Sequence, residues 1–262
     1  TAALGAGLTI LPTGTLFGAN RPGNKLNIAL IGCWGRGTAH HPMLEKENVV
    51  ALCDINSKAL AAAAQKFPKA KQYSDWRKCL DQKDLDAVVC CTPDHHHAFI
   101  SIWAMNRGLH IFGEKPLANT VQEARMVRET YLKNKHKLAT QCGTQRHFHP
   151  NFDNIKALIR QGAIGDLQDV HAWGDRFHDK TRYPAGTGIA PDYIDWDLWI
   201  GPSQMRPFSE DYFVALNWRT QRYELSYFDS DMSNWPTGSN CLSWNMYREF
   251  GNWQIGDMGS HT

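Results

Sequence analysis

From residue 25 onward, short apolar runs alternate with longer amphipathic stretches. Residues 25–31 (KLNIALI), 49–54 (VVALCD), 85–91 (LDAVVCC), 109–112 (LHIF) and 137–140 (KLAT) read as β-strands, most of them buried on both faces. Between them lie helical stretches. Residues 38–45 follow the first strand, and residues 57–67 (SKALAAAAQKF) form a strong helix closed by Pro68. A third helix runs from the Thr92–His97 turn to Arg107, with Gly108 as its stop. Thr120-Val121-Gln122-Glu123 is a capping box that opens a helix to Asn134. Strands alternating with helices predict βαβ units and a parallel sheet. Beyond it, residues 151–161 read as helix stopped by Gly162, and residues 167–173 (LQDVHAW) alternate as a strand.

The turns carry the chemistry. The first strand meets Gly32-Cys33-Trp34-Gly35-Arg36-Gly37 and then a helix, which is the setting of a G-x-G-x-x-G dinucleotide turn. Gly32, Trp34 and Gly37 take the three glycine places, so Trp34 stands where the middle glycine belongs. Gly35 is expected to take over the close approach to a pyrophosphate. The second strand ends in Asp54, 22 residues after Gly32. An acid about 20 residues on bonds the ribose hydroxyls, and its charge disfavours a 2′-phosphate, so NAD is preferred to NADP. The alternative is that Asp54 merely N-caps the helix near Ser57. In such a sheet, ligands bind at the carboxyl ends of the strands. The groups placed there are Asp54, the turn Thr92-Pro93 through His97, Glu114, Lys115 and Gln145. Pro116 holds Lys115 out of helical backbone at a strand end. Three consecutive histidines, His95, His96 and His97, point in different directions at a helix start and cannot all hold one ion, so no metal site is expected. One of them is expected to face the cofactor and the others solvent.

Composition narrows the class. The chain of 262 residues carries 28 Lys plus Arg against 26 Asp plus Glu, a net charge of +2 that gives no broad nucleic-acid surface. Seven Cys in a chain this long do not make a disulfide scaffold, and Cys33, Cys53, Cys90 and Cys91 read as buried thiols. No stretch reaches the ~18 apolar residues of a membrane span. Residues 1–11 (TAALGAGLTIL) are apolar and uncharged, and Phe17-Gly18-Ala19 follows as a cleavage zone, so residues 1–20 read as the remnant of an export signal or as a loose arm. An export signal places the protein in the periplasm of a bacterium; a mere arm leaves it cytoplasmic.

The segments IALIGCWGRG, VVALCDIN, DAVVCCTPDHHHA, GLHIFGEKPLA and IGDMGSHT occur in the order found in the Gfo/Idh/MocA oxidoreductases, which the chain resembles. The resemblance covers residues 25–175, returns at 195–207 and 256–262, and is poor over 208–254. It implies an α/β protein: a Rossmann parallel sheet over residues 21–146, then a second α+β domain over 147–262, built on an open mixed sheet that is incomplete here. It further implies bound NAD, a sugar or polyol as substrate, and a homo-oligomer formed through the open sheet. Lys115, Asp257 and His261 are the matching positions of the family's active-site lysine, aspartate and histidine. The spacing of Asp257 and His261 places both on one face of a helix. An imidazole can take an alcohol proton while hydride leaves the same carbon, and Lys115 can stabilise the developing alkoxide. The alternative is that Asp257 caps a helix whose end at His261 is frayed. Two other functions stay open. One is a glycosidase that retains NAD and acts by oxidation and elimination. The other is a non-catalytic binding module. The aromatic-rich stretches beyond residue 173 fit either sugar-stacking faces or core packing.

Overall fold

A computed structural model describes residues 25–144, 150–171, 182–186, 188–217, 222–225, 243–247 and 249–251. Residues 1–20, expected to be an export-signal remnant or a loose arm, lie outside them, as do Gln145, Asp257 and His261. Six parallel strands form one sheet: β1 Asn27–Ile31, β2 Asn48–Cys53, β3 Lys71–Tyr73, β4 Ala87–Cys90, β5 His110–Gly113 and β6 Thr140–Cys142. Their spatial order is β3-β2-β1-β4-β5-β6. This is the doubly wound dinucleotide-binding order, and the direction of winding reverses between β1 and β4. The helices are α1 His41–Leu44, α2 Ser57–Lys66, α3 Trp76–Cys79, α4 Asp94–Asn106, α5 Val121–Asn134, α6 Pro150–Arg160 and α7 Trp196–Ile200.

Successive side chains of a strand point to opposite faces, and two cores follow from that alternation. Ala29, Ile31, Ala51, Cys53, Val88, Cys90 and Ile111 pack with Ala98, Ala104 and Met105 of α4 and Val127 of α5. Ile28, Leu30, Leu52 and Val89 pack on the other face with Leu44 of α1 and Leu60 and Ala63 of α2. The thiols of Cys33, Cys53, Cys90 and Cys91 are buried, as their apolar settings predict.

The sequence misplaces several elements. The last strand of the sheet is Thr140–Cys142 rather than residues 137–140, because Lys137 and Leu138 donate their amides to Asn134 O and wrap the end of α5. The edge strand β3 has no apolar alternation to announce it; it is held by backbone pairing to β2. The stretch after the first turn is a 3-10 helix, Gly35–His40, before the short α1 begins. Residues 167–171 are exposed and irregular, not a strand. Among the described residues β7 Val214–Asn217 and β8 Arg222–Leu225 form a separate antiparallel pair. No helix among the described residues is long and apolar enough to cross a membrane.

A third core is aromatic. Ile194, Trp199, Ile200, Phe208, Tyr212, Phe213, Tyr247 and Phe250 are buried together. Trp196 stacks on Trp199 with centroids 4.7 Å apart, and Phe250 meets Trp199 edge-on at 4.9 Å. Main-chain bonds lash this cluster to the sheet: Ser57 N donates to Tyr193 O at 2.8 Å, Asp195 N donates to Ile55 O at 3.0 Å, and Asn56 bridges to Ile194.

Candidate functional site

The β1 turn is built for close backbone approach. Gly32 has φ +83°, and a Cβ there would lie 2.6 Å from Cys91 O. At Gly37 a Cβ would lie 2.0 Å from Gly32 O, so no side chain fits inside the turn. Trp34 has extended backbone, φ −108° and ψ 170°. It needs no glycine, and its half-buried side chain packs against the aromatic core. Gly35 takes a left-handed conformation at φ +60°.

Asp54 closes this turn from the end of β2. Its Oδ2 accepts from Cys33 N at 2.8 Å and its Oδ1 from Asn56 N at 2.9 Å. Burial raises the Asp54 carboxyl above the usual carboxylate value, while bonds from the amides of Asn56, Cys33, Trp34 and Ile55 favour its ionised form. The helix cap is Asn56, whose side chain accepts from Lys58 N and Ala59 N. The capping alternative for Asp54 is therefore filled by its neighbour.

At the ends of β4 and β5, the three histidines depart from expectation. None of them faces solvent: His95, His96 and His97 are 2%, 4% and 2% exposed. Both His95 Nε2 and His96 Nε2 lie within 2.9 Å of Trp199 O. The ring of His97 lies between Pro116 O (2.7 Å) and Thr92 O (2.8 Å); its one N–H donates to one of these two carbonyls, and the ring packs the Lys115–Pro116 turn against the Thr92-Pro93 loop. Burial draws all three rings below the ordinary histidine value, His96 to about 4. A buried imidazole keeps to the neutral form when desolvation outweighs its partners. For His95 and His96 the sequence misses this because their partners at Trp199 and Phe250 lie about a hundred residues or more further on.

Lys115 is half-buried at the end of β5, and its peptide bond to Pro116 is cis. The preceding Glu114 is 4% exposed. Its Oε1 takes both Arg36 Nε and His40 Nε2 at 2.8 Å. Burial works to raise the Glu114 carboxyl, but the bonds from His40 and Arg36 outweigh it and hold it below the usual value. Sequence reasoning placed Glu114 and Arg36 with the cofactor and passed over His40. The structure joins all three, and no local motif announces a contact between residues 36, 40 and 114. Gly32, Trp34, Gly35, Arg36, Gly37, Asp54, Thr92, Pro93, His97, Glu114 and Lys115 thus all lie at the carboxyl end of the sheet, near its switch point.

Residues 26–142 match the family model described as oxidoreductase family, NAD-binding Rossmann fold, GFO_IDH_MocA. Over that stretch the chain is similar to the Gfo/Idh/MocA oxidoreductases. Inositol 2-dehydrogenase of Salmonella typhimurium is 33% identical over 124 residues, 47% of this chain and 37% of that protein. Levoglucosan dehydrogenase of Pseudarthrobacter phenanthrenivorans is 34% identical over 156 residues, 55% of this chain and 39% of its own. The crystal structure of myo-inositol 2-dehydrogenase from Lactobacillus plantarum superposes with a TM-score of 0.50 at 26% identity, covering 55% of this chain and 43% of that one. The chain spans about two-fifths of the length of these relatives.

Proposed function

We propose that the full protein is an NAD-dependent oxidoreductase that moves hydride between nicotinamide and a secondary alcohol of a polyol or sugar. The observation that carries this reading is the placement of Lys115. It stands at the end of β5, with Glu114 tied to the β1 turn on one side and Pro116 held by His97 on the other. The inositol and levoglucosan dehydrogenases among the relatives support the substrate class.

The residues present fit a dinucleotide. Side chains are excluded from the turn at Gly32 and Gly37. Asp54, at the end of β2 and bonded to the Cys33 and Asn56 amides, is the acid placed to meet a ribose hydroxyl. Bound NAD supplies the hydride acceptor. Lys115 donates a hydrogen bond to the substrate oxygen and stabilises negative charge developing there. His261 takes the hydroxyl proton, and Asp257 orients that ring or binds the substrate. The apolar run at residues 1–11 and the small residues behind it support export, with the mature chain starting near Asn20.

The test is the full-length protein incubated with a panel of inositols and sugars and either NAD or NADP, reading nicotinamide reduction. Reduction of NAD with a polyol supports the proposal; no reduction with any member of the panel rejects it. Asp54→Ala removes a charged partner of the ribose, a bond worth about 1.5–3 kcal/mol, so NAD affinity should fall roughly 10- to 100-fold. NADP affinity should change far less. Calorimetry checks this, and equal affinity of the wild type for both cofactors contradicts the role given to Asp54.

His261 must be neutral to accept a proton, so alcohol oxidation should decline as pH drops through its pKa. That predicts an acidic limb near pH ~6–7 for an ordinary imidazole. His261→Asn should lose most turnover while keeping NAD affinity. Steady-state rates from about pH 5 to 9 decide it: a variant that retains both rate and limb assigns the proton elsewhere.

A further inference from the structure

Glu114 connects two segments that the proposed reaction uses separately. Its backbone amide donates to Cys90 O at 2.9 Å, which fixes it to the end of β4. Its carboxylate runs under the β1 turn, where a single oxygen accepts Arg36 Nε and His40 Nε2. The carboxylate is ionised and so can only accept, which puts the ring proton of His40 on Nε2. His40 also meets the edge of Phe112, two residues before Glu114, with centroids 5.3 Å apart. Residues 36 and 40 of one 3-10 helix therefore grip the end of β5 by charge and by ring contact.

A buried carboxylate that loses its partners is strongly disfavoured. Arg36 and His40 therefore cannot shift without drawing Glu114 with them or leaving its charge unpaired. Lys115 is the next residue, joined through a planar peptide that leaves only two soft torsions between them. Arg36 in turn directly precedes Gly37, the tightest point of the turn. We infer that Glu114 is a positioning strut, anchored at its far end by Arg36 and His40, through which occupancy of the dinucleotide turn sets the placement of Lys115. This rests on the reading that the turn takes NAD and that Lys115 meets the substrate. It adds His40 to the functional residues and gives Glu114 and Arg36 a role other than touching the cofactor.

The test uses the full-length protein without substrate. NAD binding is followed by calorimetry, and acylation of Lys115 by a lysine-directed reagent is followed by mass spectrometry of its peptide. In the wild type, NAD should change the Lys115 acylation rate by at least about fivefold, the lower end of ordinary site-to-site coupling. In Arg36→Ala and in His40→Asn, each measured at NAD concentrations that saturate that variant, the response should fall to within about a factor of two. Glu114→Gln should behave alike, and joining it to Arg36→Ala should add little, because residues of one network are not additive. The Arg36 and His40 variants suffice should Glu114→Gln fail to fold, since Arg36 is 44% exposed at its side chain. Persistence of the full NAD response in these variants overturns the strut, because NAD then acts on Lys115 directly. NAD binding to the wild type without any Lys115 response overturns the strut alone. Failure of the wild type to bind NAD removes the dinucleotide reading and the strut with it.

Discussion

Lys115→Met in the full-length protein should cut turnover by about 10²-fold or more, the scale of losing one preorganised donor to a developing oxyanion. Its melting temperature should stay close to that of the wild type. Lys115 is half-buried rather than part of a core, and the Met side chain keeps most of its apolar length. The backbone around it is set by His97 at Pro116 O and by Glu114 N at Cys90 O, neither of which the substitution touches. Steady-state kinetics beside a thermal melt make the distinction. Near-normal turnover would show that this lysine is a bystander, and a large fall in melting temperature would assign it to folding.

Gly37→Ala should damage the nucleotide turn severely. The added Cβ would lie 2.0 Å from Gly32 O and 3.0 Å from Gly32 C, so main chain must move. Overpacking of this kind costs about 1–3 kcal/mol. The strain falls on the segment proposed to hold the pyrophosphate, so NAD affinity should fall by up to roughly 10²-fold. Calorimetry with NAD on a variant whose melt shows it folded is the measurement. Unchanged affinity would mean that the turn does not meet the cofactor.

The parts of this fold that can be read from sequence are those whose evidence is local. β1, β2, β4 and β5 are continuous apolar runs because both faces of the sheet are covered. The start of α5 is legible because Thr120 and Glu123 cap each other across a single turn. β3 escapes notice because Lys71, Gln72 and Tyr73 contribute backbone pairing at an edge and little apolar burial. The site divides in the same way. Gly32, Gly37 and Asp54 are legible through spacing along the chain. The fate of His95 and His96 is not, since their burial depends on carbonyls supplied by Trp199 and Phe250. His40 is illegible for the same reason: nothing near it in sequence foretells a carboxylate 74 residues away. The aromatic-rich stretch, open to two readings as sequence, supplies interior packing at Trp199, Phe208, Tyr212, Phe213 and Phe250.

The lashing of residues 193–195 onto residues 55–57 bears on how this protein can be taken apart. A designer who wished to borrow the nucleotide-fold half as a portable module would cut soon after β6. That cut would leave Ser57 N and Ile55 O without the partners they have in Tyr193 and Asp195. It would bare Trp34 and Ile55, and it would strip His95 and His96 of the carbonyl that both rings share. A transplantable version has to carry the strap and the aromatic cluster as part of its own boundary, so the smallest transferable piece is larger than the sheet.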